Sequence, residues 1–273
     1  MSENSSSSSN NKKTAVVYFV GSGPGDPELI TLKAKRLVET ADVIIYSGSL
    51  LNPKILEYAR KDAELYDAAV IDRVKIYEVL RDTAKKGRLA IRFHDGDPAL
   101  FSTIREQIDQ LESDGIRCIV VPGVTAILGA AADLKLELTL PGVTQSLIIT
   151  RAEFRTPVPP RESIQELARH GCTMAFYLSV HLIGDVVTEL LKGGVYTEKT
   201  PAAVVYRATW EDERIIKGTL GDIESKTKEA RIIKTALIIV GEVIAPAKYE
   251  YSKVYDAAFT HGYRRGVKKE EKG

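Results

Sequence analysis

The feature that most constrains this chain is a recurring order: a short β-branched run, a turn rich in Gly, Asp and Pro, then a helical stripe. Ala15 to Val20 reads as a buried strand and ends in the turn Gly21 to Asp26. Ile30, Ala34, Leu37, Val38 and Ala41 then share one helical face, and Val43 to Tyr46 returns as a second strand. Leu89 to Phe93 starts the device again, with Gly96-Asp97-Pro98 leading into a helix that carries Phe101, Ile104, Ile108 and Leu111. Ile116 to Val121 closes this half. At both Gly-Asp-Pro turns the Asp is suited to cap a helix and the Pro to take its first position, where a missing N–H costs nothing.

A second half follows Pro122-Gly123. Gln145 to Thr150, Thr173 to Leu178, Pro201 to Tyr206 and Ala236 to Val240 read as strands, with a shorter one at Arg214 to Lys217. Leu182, Ile183, Val186, Val187, Leu190 and Leu191 form a helical stripe. The fold class expected is α/β: two small α/β domains with mostly parallel sheets. The domains span 14–122 and 123–250, with tails at 1–13 and 251–273, and the cleft between them is the default ligand site.

Composition excludes several functions. The 38 basic and 37 acidic side chains leave a net charge of +1, so no one-sided field favours nucleic acid. No run approaches the ~18 apolar residues of a membrane span. The Ser/Asn-rich start to Lys13 has no apolar signal-peptide core and reads as a disordered tail. A cytoplasmic protein is expected, with Cys118 and Cys172 as buried reduced thiols. The four histidines have no ligand-like spacing, so no metal site is expected.

The glycine turn invites a dinucleotide-binding assignment, which fails two checks. The third glycine of that fingerprint is replaced by Asp26, whose charge would repel a pyrophosphate. The second strand ends Tyr46-Ser47-Gly48, without the acid that holds a ribose.

Six segments taken in order resemble the tetrapyrrole (class III) methyltransferases: VGSGPGDPELIT (20–31), HDGDPALF (94–101), VVPGVTA (120–126), MAFYLSV (174–180), AAVVYRATW (202–210) and KTALIIVGEV (234–243). A more selective segment, TRAEFRTPVP (150–159), resembles the precorrin-4 and cobalt-precorrin-4 C11-methyltransferases, many of which carry glycine where this chain has Phe154. The segment YDAAFTHGY (255–263) resembles tails of the same subgroup.

The resemblance implies the tetrapyrrole methylase fold, with S-adenosylmethionine held in an interdomain cleft and S-adenosylhomocysteine left as product. The positions matching cofactor contacts are Pro24, Asp95, Gly96, Asp97, Leu100, Thr125, Ala126, Leu178, Ala208, Thr235 and Ala236. It implies a polycarboxylate tetrapyrrole as substrate, no nucleic-acid or membrane partner, and a homodimer. Arg151 and Arg155, with Glu153 between them and Arg161 nearby, suit substrate carboxylates, because the arginine fork matches them. A sulfonium donor needs no nucleophilic side chain or metal, so positioning and water exclusion are the main tasks. The catalytic base is not identified by sequence; Asp26 and Glu153 are candidates, His94 and His261 weaker ones. Alternatives at this point are a sibling methyltransferase acting at another ring carbon, a sirohaem-branch enzyme, and a non-catalytic tetrapyrrole-binding protein.

Overall fold

The computed structural model describes residues 15–267; the expected tail at 1–13 lies outside the described residues. The chain divides into two compact units. Among the described residues, one runs to Gly129 and takes in Thr209–Glu211; the other comprises Ala130–Ala208 and the described residues from Asp212 on. The expected break at Pro122-Gly123 is therefore displaced into a helix. The cause is local: Gly123 remains tied to the first unit by its N–H, which donates to Asp97 Oδ2 at 2.9 Å.

The first unit holds β1 (Val16–Gly21), α1 (Leu32–Thr40), β2 (Val43–Tyr46), β3 (Glu64–Asp67), α2 (Arg73–Lys85), β4 (Ala90–His94), α3 (Ile104–Ser113) and β5 (Arg117–Val121), then enters α4 (Ala126–Leu134). Its sheet has the order β3-β2-β4-β1-β5, and every neighbouring pair is parallel. Both faces are covered. Val17, Phe19, Val43, Ile45 and Ala90 pack with Ile76, Leu80 and Leu111 of α2 and α3, while Val20, Ile44, Ile91 and Phe93 pack with Ala34 and Val38 of α1. Burial on both faces is why the central strands read as unbroken apolar runs. The expected helix directly after Pro98 begins only at Ile104. Phe101 and Thr103 intervene at φ 56° and 49°, a left-handed backbone that breaks the helical path.

The second unit contains β6 (Leu147–Arg151), α5 (Ile164–Ala168), β7 (Thr173–Tyr177), α6 (Ile183–Lys192), β8 (Pro201–Tyr206), β9 (Arg214–Thr219), α7 (Ile223–Glu229) and β10 (Ala236–Val240). The sheet order is β6-β7-β10-β8-β9. Here parallel pairing holds only for β6 with β7; β10 runs antiparallel to β7 and β8, and β8 to β9. The turn 207–213 is too short for the crossover that a parallel β8–β9 pair would need. One face packs on Val186, Val187 and Leu190 of α6 and Ile223 of α7. The expected α/β class with mostly parallel pairing describes the chain as a whole, and the antiparallel part is confined to this sheet.

Candidate active site

In the first unit β1 lies between β4 and β5, so the turns that follow these three strands meet at one sheet edge. Ligands of open α/β sheets bind at the carboxyl ends of strands. Pro24 and Asp26 lie after β1, Asp95, Gly96, Asp97 and Leu100 after β4, and Thr125 and Ala126 after β5. The sequence-expected residues of this unit are thus brought together.

Hydrogen bonds fix these turns to one another. Gly23 N–H donates to the Gly96 carbonyl at 3.2 Å, and Gly96 N–H donates back to Gly23 at 2.9 Å. Asn52 Nδ2 donates to the Gly25 carbonyl at 2.9 Å, and Trp210 Nε1 to the Pro24 carbonyl at 3.2 Å. Asp26 N–H donates to Thr209 Oγ1 at 2.9 Å, while its carboxylate accepts from Glu28 N–H at 2.8 Å. Asp26 therefore caps only the short 3-10 turn Pro27–Leu29, and α1 itself is capped by Thr31, whose hydroxyl accepts from Ala34 N–H at 3.2 Å. Both oxygens of Asp97 are engaged, one accepting from Ala99 N–H at 2.7 Å and the other from Gly123 N–H. It clasps the β4 turn to the β5 turn.

Asp95 is half-buried, and burial pushes its carboxyl above the usual range, opposed by its own backbone N–H, Arg92 and the Ser47 hydroxyl. Arg92 is buried, and its guanidinium is pushed down to about 10 by burial, with Asp95 acting the other way. Its Nη1 donates to the Ile45 and Phe93 carbonyls, each at 3.2 Å. His94 is 2% exposed and stacks on Phe19 at 6.1 Å between centroids. Burial and then Arg92 push its imidazole down to about 3. Such a group is neutral at pH 7 and too weak a base for the part considered for it. His261 has its Nδ1 engaged by Tyr263 N–H at 3.2 Å within its own turn.

In the second unit the strand pairings gather another edge. Because β7 and β8 both run antiparallel to β10, their ends meet its start. That places Leu178, Ala208, Thr235 and Ala236 together, and the parallel partner β6 adds the loop after Arg151. Leu178, Arg207 and Thr235 have φ of 54°, 50° and 52°. Left-handed non-glycine residues store strain and concentrate at ligand sites. Arg207 N–H donates to the Thr235 carbonyl at 2.9 Å. Leu178 is 55% exposed, whereas Ala208 is buried.

The arginine cluster separates into different tasks. Arg151 Nη1 donates to the carbonyls of Ala152 and Thr156 at 3.3 and 3.1 Å, and Nη2 to that of Pro157 at 2.8 Å. Its guanidinium organises its own loop. Glu153 accepts from Val158 N–H at 3.3 Å in the same loop. Arg155 is exposed, its guanidinium 5.5 Å from the Phe154 ring centroid. Arg161 sits on a separate turn, Pro160–Glu162, beside Glu162 at 3.8 Å. Sequence reading missed Ser47, Asn52, Arg92 and Ser179. Ser179 is fully buried and joins the two loops: its hydroxyl accepts from Ala152 N–H at 2.7 Å and donates to the Tyr177 carbonyl at 2.6 Å. Among the described residues no group of His, Cys, Asp and Glu is placed to hold a metal ion.

Two sheet edges, each with strained or glycine-rich turns, are the pattern of a ligand-binding protein of the α/β class. The tetrapyrrole (corrin/porphyrin) methylase family model matches residues 16–224, and the chain belongs to that family. It is 53% identical over 253 residues to a cobalt-precorrin-4 C(11)-methyltransferase of Methanocaldococcus jannaschii, covering 93% of this chain and 97% of that protein. It is 44% identical over 250 residues to a precorrin-4 C(11)-methyltransferase of Pseudomonas aeruginosa, covering 92% and 99%. The solved structure of a cobalt precorrin-4 methyltransferase matches with a TM-score of 0.82 and 39% identity, covering 85% of this chain and 97% of that one. A uroporphyrin-III C-methyl transferase from Thermus thermophilus, complexed with S-adenyl homocysteine, matches with a TM-score of 0.70 and 29% identity, covering 84% and 93%.

Proposed function

We propose that this protein transfers the methyl group of S-adenosylmethionine to C11 of precorrin-4 or cobalt-precorrin-4 in cobalamin biosynthesis. The observation that carries this is the 53% identity, sustained over 93% of the chain, to a relative with that named activity. A cytoplasmic homodimer belongs to the same proposal and rests on the family resemblance. Among the described residues no helix is long and apolar enough to cross a membrane.

The residues fit the donor. Gly96, at φ +60°, leaves a gap that a Cβ would narrow, with Thr125 Cα at 3.5 Å and Ala126 N at 3.7 Å from that position. Glycine and alanine backbone of this kind suits close approach by a nucleoside. Asp95 has carboxyl lone pairs suited to hydroxyl or ammonium groups of the donor, and Leu100 and Leu178 supply apolar surface. We assign Pro24, Asp95, Gly96, Asp97, Leu100, Thr125, Ala126, Leu178, Ala208, Thr235 and Ala236 to holding it. When bound, the donor supplies an electrophilic methyl group on a sulfonium. The protein's own work is to hold the turns rigid, through the Gly23–Gly96 pairing and the Asp97 clasp, and to exclude water. Arg155 meets substrate carboxylates, and Arg151 and Glu153 shape the loop that presents it. Glu153 and Asp26 remain the candidate carboxylate bases for taking up the proton that the ring loses.

Leu178→Ala tests the placement. It removes an exposed apolar side chain, so the thermal midpoint stays unchanged, while S-adenosylhomocysteine binds about tenfold more weakly in calorimetry. Unaltered affinity would remove Leu178 from the site.

A further inference from the structure

We propose that Phe154, braced between Arg155 and His181, is the platform on which the apolar ring system of the substrate rests. The proposal rests on the methyltransferase function above. Phe154 is 58% exposed, although its loop is held rigidly from within by Arg151, by Glu153 and by the Ser179 hydroxyl. Its ring meets His181 edge-to-face, 5.0 Å between centroids and 74° between planes, while the Arg155 guanidinium lies 5.5 Å from its centroid. One aromatic side chain thus bridges the loop after β6 and the turn after β7, at the edge where Leu178 also stands.

The ring does not stand alone: Leu178, also more than half exposed, lies at the same sheet edge, and apolar surface gathered at such an edge marks a ligand groove. Two side-chain torsions make such an anchor cheap to immobilise. The neighbouring charge matches the ligand as well: a tetrapyrrole offers an apolar macrocycle ringed by carboxylates, and Phe154 with Arg155 offers an apolar face beside a cation.

The experiment compares wild type, Phe154→Ala and Phe154→Tyr. Binding is read with uroporphyrin, a flat carboxylate-rich porphyrin, by fluorescence quenching. Turnover is read on cobalt-precorrin-4, and S-adenosylhomocysteine binding and thermal midpoint are measured alongside. Phe154→Ala is expected to weaken uroporphyrin binding and raise the substrate KM about tenfold or more. Its kcat, S-adenosylhomocysteine affinity and midpoint should hold, and Phe154→Tyr should restore most of the loss. Unchanged porphyrin affinity and KM in Phe154→Ala would overturn the platform, as would a parallel fall in midpoint and S-adenosylhomocysteine affinity, which marks loop packing. A wild type that binds uroporphyrin but methylates no tetrapyrrole would overturn the function, while the uroporphyrin comparison still decides the platform.

Discussion

Gly123→Ala is expected to destabilise the first unit by about 3 kcal/mol, the upper end of ordinary overpacking. A Cβ on Gly123 would lie 2.2 Å from the Gly96 carbonyl oxygen and 2.9 Å from Gly21 Cα. Gly21 is confined in the same way, its Cβ position 2.6 Å from that oxygen and 2.7 Å from Gly123 Cα. These neighbours are all backbone, so no side-chain rotation relieves the clash. The turns after β1, β4 and β5 cross here, so the added methyl should also break the Asp97 clasp and abolish S-adenosylhomocysteine binding. Gly87→Ala is the control. Nothing lies within 4 Å of its Cβ position, and only the φ of +71° opposes substitution, at a cost of about 1 kcal/mol. Urea denaturation should separate the two variants clearly; equal midpoints would mean that the crossing is looser than described.

The second large effect is a loss of stability in acid through His94. Its folded value of about 3 lies below the ordinary 6.5, so the unfolded chain takes up a proton that the folded chain refuses. This contribution is fully present above pH 6.5 and is lost as the pH falls towards 3, amounting to roughly 3 kcal/mol by pH 4. Asp95, whose carboxyl is raised, works in the opposite direction, so the histidine must be isolated by comparison. His94→Phe keeps a ring against Phe19 and removes the titration. Wild type should lose about 3 kcal/mol more than this variant between pH 7 and pH 4 in denaturant titrations. Equal losses would show that His94 titrates normally.

Much of this architecture is written locally. The runs at β1, β2, β4, β7, β8 and β10 are apolar because their strands are buried, and each stands out against its turns. Strand β3 does not: Glu64–Asp67 is a short edge strand, its first two residues exposed, with two acids in four residues. Helix α2 is also obscured, since only Ile76, Leu80, Thr83 and Ala84 are buried among charged neighbours. Helix α4, Ala126–Leu134, is apolar on nearly every side and lacks a periodic stripe. The antiparallel part of the second sheet has no local signature, because direction depends on how distant strands pair.

The site divides in the same manner. Gly96, Asp97 and the TRAEFRTP loop are visible as motifs. Their division of labour is not: Arg151 and Arg155 look alike in sequence, yet one bonds its own loop and the other faces solvent. Left-handed conformations at Leu178, Arg207 and Thr235 are equally hidden, since none of these residues advertises a positive φ. Arg92 and Ser179 are polar residues within apolar runs, a signal that reasoning from periodicity passes over.

The position of methylation is tested most directly by labelling the transferred carbon. The purified protein, supplied with S-adenosylmethionine carrying a 13C methyl group and with cobalt-precorrin-4 or precorrin-4, should yield a product heavier by one labelled methyl. Carbon NMR should place that methyl on C11. A labelled methyl at any other ring position, or no transfer to either substrate by protein that binds S-adenosylhomocysteine, would contradict the assignment.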